Sequence, residues 1–283
     1  MRIAIFADIH GKILLPFKMA ALYQQVTGKK IDLILQCGDM GAFPDLQNLD
    51  KATIRHAKYD RDELGFHDDF CIKNPEIAAF LEKLNLEMIC VRGNHEDHAF
   101  LDELEAKHPN AARFPIDIYE KVFLCKTGKL QTFETETQKL TFMGIGRIGD
   151  RKGRYEPEFI QEYEQQALRK FIKHHAEIDI LLTHDKDDVS ERGYGMAEIS
   201  KVLENIFIAY HFHGHTGEPF QQRLGHNGLT YTVKIKELEF NDTGALGHGC
   251  MVILAKNQAD KWQLEVVDKE IVAQVTKFNW KYL

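Results

Sequence analysis

Five apolar stretches of this chain stop on side chains that carry lone pairs. Asp8 and His10 follow "RIAIFA", Asp39 follows "LILQCG", Asn94 and His95 follow "MICVRG", His184 follows "ILLT", and His213 and His215 close "AYHFHGH". Such groups gain nothing at the ends of buried strands unless each finds a partner, because desolvating them costs free energy. Imidazoles, carboxylates and one amide oxygen, without thiolate, suit borderline-hard divalent metals such as Mn, Fe, Zn, Ni or Co. Six or seven donors exceed one tetrahedral site and suffice for two ions if one carboxylate is shared. Asp39, at the strand end between two i, i+2 pairs, is the natural bridge. Two ions about 3.5 to 4 Å apart can hold a phosphate, share a hydroxide nucleophile of lowered pKa and offset charge on an in-line transition state.

Residues more than 200 positions apart converge only if the fold brings strand ends together, as the carboxyl edge of an open α/β sheet does. The pairs Asp8/His10 and His213/His215 are at i and i+2, which in an extended chain places both side chains on one face. The neighbouring Gly11, Gly38, Gly41, Gly93, Gly214 and Gly217 allow sharp turns and close backbone approach.

The elements that must position these groups alternate. "RIAIFAD" reads as a first strand, Leu14 to Val26 as a helix, and "IDLILQCGD" as a strand buried on both faces. Residues 41–74 have mixed polarity and predict a long loop or small excursion, which in a compact domain is usually functional. "NPEIAAFLEKL" carries Asn74 as N-cap and Pro75 at the first helical position. The strand "LEMICVRGN", the helix "DHAFLDELEAKH", β-type runs between Val122 and Ile148, a helix from Glu158 to His175, the strand "EIDILLTHD", the helix "MAEISKVLENI" and "FIAYHFHGH" follow. The remainder, "LTYTVKIKELEF", "CMVILAK" and "WQLEVVDKEIV", alternates as a meander of half-exposed strands does. This order implies an α/β fold, a four-layer α/β/β/α sandwich of two mixed sheets with helices outside. With no internal repeat and seven dispersed prolines, residues 1–283 read as a single domain with a substrate-specificity insert at 41–74.

The bulk numbers bound the function. At 44% hydrophobic and 28% charged residues the composition is that of a globular protein, with no run near the roughly 18 to 20 apolar residues that span a bilayer, so no membrane role is expected. The first apolar run is interrupted by Asp8 and His10 and does not make a signal-peptide core. Five cysteines without CxxC spacing indicate neither a disulfide framework nor a thiolate zinc site, and point to a reducing cytoplasm. A net charge of -7 disfavours broad electrostatic binding of nucleic acid.

In order and context these blocks resemble the calcineurin-like metallophosphoesterases, whose motif series runs Asp-x-His, Gly-Asp, Gly-Asn-His-Glu/Asp, a strand-end His, and Gly-His-x-His. The match runs from Asp8 to about Pro219. By that resemblance one ion takes Asp8, His10 and Asp39 and the other Asp39, Asn94 and His184, with the last block completing the pair. His95 is similar to the family's non-ligand histidine, which protonates the leaving oxygen or stabilises the phosphoryl group. The last block departs from the pattern: aligned on "GHTGEP", Gly217 stands where the second histidine belongs and His215 is the ligand, whereas a shift of two residues makes His213 and His215 the pair. The long insert, "MGIGRIGDRKGRYEP" and "LLTHD" also resemble the layout of the RNA lariat debranching branch.

The resemblance implies a phosphoester hydrolase using a metal-bound hydroxide, with a phosphodiester as the expected bond, two divalent ions (Mn foremost) as cofactor, and a phosphorylated small molecule or nucleotide as substrate. A nuclease on structured nucleic acid and a non-catalytic scaffold retaining the fold are the alternatives, and oligomeric state is unreadable. Arg147, Arg151 and Arg154 either bind the substrate phosphate or form a solvated basic loop. Glu96 and Asp97 either orient ligands or cap the following helix. His56, His67, His174, His175, His226 and His248 read as surface residues, His98 and His108 as an exposed helix face, and Cys37 and Cys90 as core.

Overall fold

The alternation along the first strand divides the molecule into layers. A computed structural model describes residues 1–150, 152–257 and 259–283. Ala4 and Phe6 of β1 (Arg2–Phe6) enter one hydrophobic cluster, while Ile3 and Ile5 enter a second on the opposite face. The period of two does the same in β2 (Leu33–Gln36) and β3 (Met88–Cys90), where Ile34 and Met88 face one way and Leu33, Leu35 and Ile89 the other.

These strands belong to a seven-stranded sheet ordered β13 (Trp262–Val266), β12 (Val252–Lys256), β1, β2, β3, β5 (Val122–Cys125), β4 (Arg113–Pro115). A six-stranded sheet follows the order β10 (Gln221–Leu224), β11 (Tyr231–Lys234), β9 (Phe207–His213), β8 (Glu177–Thr183), β7 (Lys139–Ile145), β6 (Leu130–Glu134). β1, β2, β3 and β5 run parallel, as do β7, β8, β9 and β11, with antiparallel strands at the margins. Both sheets are therefore mixed, and Ile3, Leu35 and Ile89 meet Phe142, Leu182 and Phe212 in the core between them.

Helices close both outer faces. α1 (Leu14–Thr27), α3 (Pro75–Leu84) and α4 (His98–Lys107) cover the first sheet, and α5 (Glu162–His174) and α6 (Ala197–Asn205) cover the second. The four-layer sandwich is the observed fold. Asn74 caps α3 as its position suggests, its Oδ1 accepting the N–H groups of Glu76 and Ile77. No helix among the described residues is long and apolar enough to cross a membrane.

Two stretches differ from the sequence reading. The 41–74 segment is structured: Asp50 caps the short helix α2 (Lys51–Ala57), and a 3-10 turn at Arg61–Leu64 and a π turn at Phe66–Phe70 follow, with Phe66 and Phe70 fully buried. Its polar surface residues hide these two anchors from a periodicity test. The C-terminal strands do not form a meander either. β11 joins the second sheet beside β9 while β12 crosses to the first beside β1, and the run ends in a helical turn, α7 (Lys269–Val272).

Candidate functional site

Parallel strands share a carboxyl edge, and at this edge the two sheets are stitched to each other. The N–H of Asp8 donates to Gly38 O at 3.1 Å, and those of Ile9 and His10 to Asp39 O at 3.0 Å, so the loops after β1 and β2 are bonded together. From the second sheet, His184 Nδ1 lies 2.8 Å from the Cys37 carbonyl and the N–H of His215 donates to both Asp8 carboxylate oxygens at 3.1 and 3.2 Å. Asp8, His10, Asp39 and His215 all adopt positive φ, between 38° and 67°. For non-glycine residues each such conformation costs on the order of 1 kcal/mol or more and clusters at functional sites. The i, i+2 rule for extended chain thus does not place Asp8 beside His10; paired left-handed turns do.

Asp39 is the hub. Its Oδ1 accepts the N–H groups of Asn94 (2.7 Å) and His95 (2.8 Å) and lies 3.3 Å from His184 Nε2. Burial works to raise this carboxyl, but the imidazoles of His184, His10 and His95 outweigh it and hold it well below the usual range. Asp8 goes the other way, pushed up to about 6 by burial and by Asp39 against the pull of His184. Donor atoms of Asp8, His10 and Asp39 lie within 4.8 Å of one another, as do those of Asp39, His184 and His215, giving two groups that share Asp39.

The donor chemistry fits cations. With His184 Nδ1–H donating to a carbonyl, its Nε2 lone pair faces Asn94 Oδ1 at 3.0 Å and Asp39 Oδ1 at 3.3 Å. Three acceptors converging on one point repel unless something positive sits among them. Burial opposes a charge on His184, and Asp39 outweighs it, pushing the imidazole up to about 9. His215 completes the same group: its Nε2 is buried without a hydrogen-bond partner, and burial followed by the His184 charge lowers it to about 4, leaving a neutral imidazole.

His95 stands beside the two groups, its ring 5.6 Å from that of His10. Its Nδ1 is 2.6 Å from Oδ2 of Asp50. Burial opposes protonation, but the bond to Asp50 and the charge of Asp39 prevail and raise His95 to about 9. The imidazole therefore carries a proton near neutral pH. A cleft of about 510 Å³ opens over Asp8, His10, Asp39 and His95, with Arg55 and His56 of α2 on its wall.

The remaining candidates go elsewhere. His213 ends β9 buried, stacked on His211 at 5.4 Å, and lines a separate cleft with Lys186 and Arg223. His213 and His215 do not form a pair because His215 sits in a turn with φ 67°, not on an extended strand. Arg147 is 1% exposed, and its guanidinium is held by Asp102 (2.9 Å), Tyr163 (3.2 Å) and Pro157 O, with Glu164 at 3.0 Å, so it is a buried strut with no access to a phosphate. Arg154 lies over Phe159 at 3.9 Å, outside the cleft, and Arg151 lies outside the described residues. Glu96 neither caps a helix nor touches an imidazole: its buried carboxylate accepts the N–H groups of Met40, Ala42 and Gly93, clamping the Asp39 loop to the Asn94 loop. Asp97 caps α4 through Phe100 N. His98 is buried beside Arg147, not on an exposed face, and Cys37 and Cys90 lie in the core.

Asp50, which holds His95, and Arg55 and His56 of the cleft wall are residues that the motif series does not contain. Their one sequence signal is membership of the 41–74 insert.

The family model for calcineurin-like phosphoesterases matches residues 1–219 of the 283, and the chain belongs to that family of metal-dependent phosphoester hydrolases. In fold it is similar to the protein TT1561 of Thermus thermophilus, with 14% identity and a TM-score of 0.51 over 94% of this chain and 99% of that one. A hypothetical protein from the same organism aligns at 13% identity, 94% and 99% coverage and a TM-score of 0.46. Wild-type Vps29 of Entamoeba histolytica complexed with zinc aligns at 10% identity, 95% and 99% coverage and a TM-score of 0.31. No curated protein matches the chain.

Proposed function

We propose that the protein is a two-metal phosphodiesterase in which Asp8, His10 and Asp39 hold one divalent ion and Asp39, Asn94, His184 and His215 hold the other, with Mn as the first candidate. The observation that carries this reading is the pair of donor groups sharing Asp39, with a protonated imidazole alongside in one cleft. When bound, two such ions supply charge neutralisation and a nucleophile at neutral pH.

The chain's own residues supply the rest. Asp39 fixes the spacing of the two groups. His95, kept protonated by Asp50, donates its Nε2 proton to the leaving oxygen, which would otherwise depart as an alkoxide. Arg55, on the cleft wall, pairs with a phosphate oxygen. Glu237 and Glu239 line the same cleft, so a monoanionic diester meets less repulsion there than a dianionic monoester. All five cysteines are free, in keeping with a reducing cytoplasm. The 41–74 segment contributes Arg55, His56 and Glu63 to the cleft and is the natural carrier of specificity for a phosphorylated small molecule or nucleotide.

The test is turnover of bis(p-nitrophenyl) phosphate against p-nitrophenyl phosphate by chelator-treated protein reloaded with Mn, Fe, Zn, Ni or Co. Faster diester hydrolysis, abolished in Asp39→Ala, is the expected result. Failure of every metal on both esters sinks the proposal.

A further inference from the structure

Gly217 stands two residues after His215, where the motif carries its second imidazole, and it leaves the Asp8, His10 and Asp39 group with three protein donors. A carboxylate occupies that space. A Cβ built on Gly217 would lie 3.6 Å from Glu237 Oε1, an ordinary contact distance. This oxygen is buried without a hydrogen-bond partner, on a side chain only 13% exposed. Lys236 engages the other oxygen, while Lys234 Nζ stands 3.8 Å from Oε1, beyond hydrogen-bond reach. Two residues on, Glu239 Oε1 lies 3.6 Å from His10 Nε2.

This placement is built into the fold. Leu238, between the two glutamates, is fully buried, and its N–H lies 3.1 Å from Ala7 O and 3.2 Å from Asp8 O, tying the segment to the end of β1. Both glutamates line the cleft that contains Asp8, His10 and Asp39. Glu237 Oε1 is thus withdrawn from water with nothing donating to it and only a buried ammonium 3.8 Å away, which leaves room for a cation in direct contact.

We propose that the carboxylate pair Glu237 and Glu239 supplies the protein ligand that position 217 lacks to the ion held by Asp8, His10 and Asp39. The inference rests on the two-ion reading above. It makes the two positions unequal: one has carboxylates and a single imidazole, the other two imidazoles, an amide oxygen and the shared carboxylate. Oxygen-rich sets suit Mn or Mg, and imidazole suits Zn or Fe.

The experiment counts ions. Chelator-treated wild type and Glu237→Gln/Glu239→Gln are reloaded with Mn, freed of excess, assayed by mass spectrometry for bound metal and titrated calorimetrically, with circular dichroism to confirm folding. Wild type should hold two ions. The double variant should hold one with unchanged affinity and bind the second about tenfold more weakly or worse. His215→Ala, which removes a donor of the other group, should weaken the other ion instead. The single variants E237Q and E239Q, milder for folding, are read the same way, and at least one must weaken an ion. Two ions with wild-type affinities in the double variant overturn this inference and leave the two-ion reading standing. Fewer than two in wild type brings down both.

Discussion

Oδ2 of Asp50 sits 2.6 Å from His95 Nδ1 while Oδ1 of the same carboxylate accepts the N–H of Thr53 at 2.7 Å. One side chain thus starts α2 and aims the imidazole, so the segment that shapes the cleft and the proton donor are positioned together.

Asp50→Asn should separate the two roles, because an amide oxygen still caps the helix but no longer holds a proton on His95. With the carboxylate gone, the His95 pKa should fall from about 9 toward the ordinary 6.5. Turnover of a diester with a poor leaving group should drop by about 30-fold at pH 8, because the protonated fraction of His95 falls from about nine-tenths to about 3%, and much less with nitrophenolate. The measurement is the pH profile of kcat for both substrates, and an unchanged alkaline limb refutes the role. Stability follows the same linkage. A raised histidine pKa stabilises below about 6.5 and loses that contribution as pH climbs through about 9. The lowered Asp50 pKa stabilises above the ordinary carboxyl range and loses it as pH falls. The pair is worth most in between, and Asp50→Asn should flatten the fall of the melting temperature as pH climbs from about 6.5 to about 9.

Chelation should destabilise the fold, since the converging lone pairs of Asp39, Asn94 and His184 then rely on protons alone. Restoring an ion at 100 times its Kd contributes about 2.7 kcal/mol per site. Asp39→Ala should abolish this gain for both ions. Because His184 gives up a proton that is otherwise held to about 9, binding should release protons and strengthen as pH rises toward that value. Calorimetry in buffers of different ionisation enthalpy reads the released protons directly, and their absence would count against His184 as a ligand.

Arg55 sits on the cleft wall with Nη2 3.1 Å from His56 Nε2 and, among the described residues, no carboxylate in ion-pair contact. Arg55→Ala should raise KM for a diester by about tenfold, in line with about 1.5 kcal/mol for a charge-assisted bond, and change kcat little. Arg147→Ala should behave oppositely. Removing a buried guanidinium leaves the buried Glu164 without its ion-pair partner, while Asp102 keeps Arg92, so its main effect should be a loss of about 3 kcal/mol in stability, read by chemical denaturation.

What could be read from the sequence was whatever interrupts a buried strand. Asp8, Asp39, Asn94 and His184 stand out because polar donors end runs in which Ile3, Ile5, Leu35 and Ile89 face one core and Ala4, Phe6, Ile34 and Met88 the other, and the order of strands and helices implies the layers. Asp50 does not stand out, because an Asp before Lys-Ala-Thr is an ordinary helix cap, which it also is. Glu237 and Glu239 are hidden for a similar reason: "KIKELEF" alternates like an edge strand, yet β11 stops at Lys234 and the glutamates turn into the cleft. Arg147 misled because charge in a glycine-rich loop suggests solvent, while its partners Asp102 and Glu164 are remote in sequence. His213 misled because a spacing of two implies one face only while the chain remains extended.

Gly93 tests the hub most sharply. A Cβ built there falls 2.0 Å from Asp39 Oδ1 and 2.2 Å from Asp39 N, far inside van der Waals contact and against groups that cannot swing aside. Asp39 must shift, and with it the hydrogen bonds from Asn94 N and His95 N that set the orientation of the shared carboxylate. Gly93→Ala should therefore cost about 1 to 3 kcal/mol as overpacking does, weaken both ions together and lower turnover by about 100-fold or more, since a displacement of about 1 Å suffices for such a loss. Gly228→Ala is the control: it shares a positive φ of 69° but its Cβ meets nothing within 4 Å, so it should show backbone strain alone, with both ions retained. If the two variants bind metal equally well, Asp39 is not the residue that the two donor groups have in common.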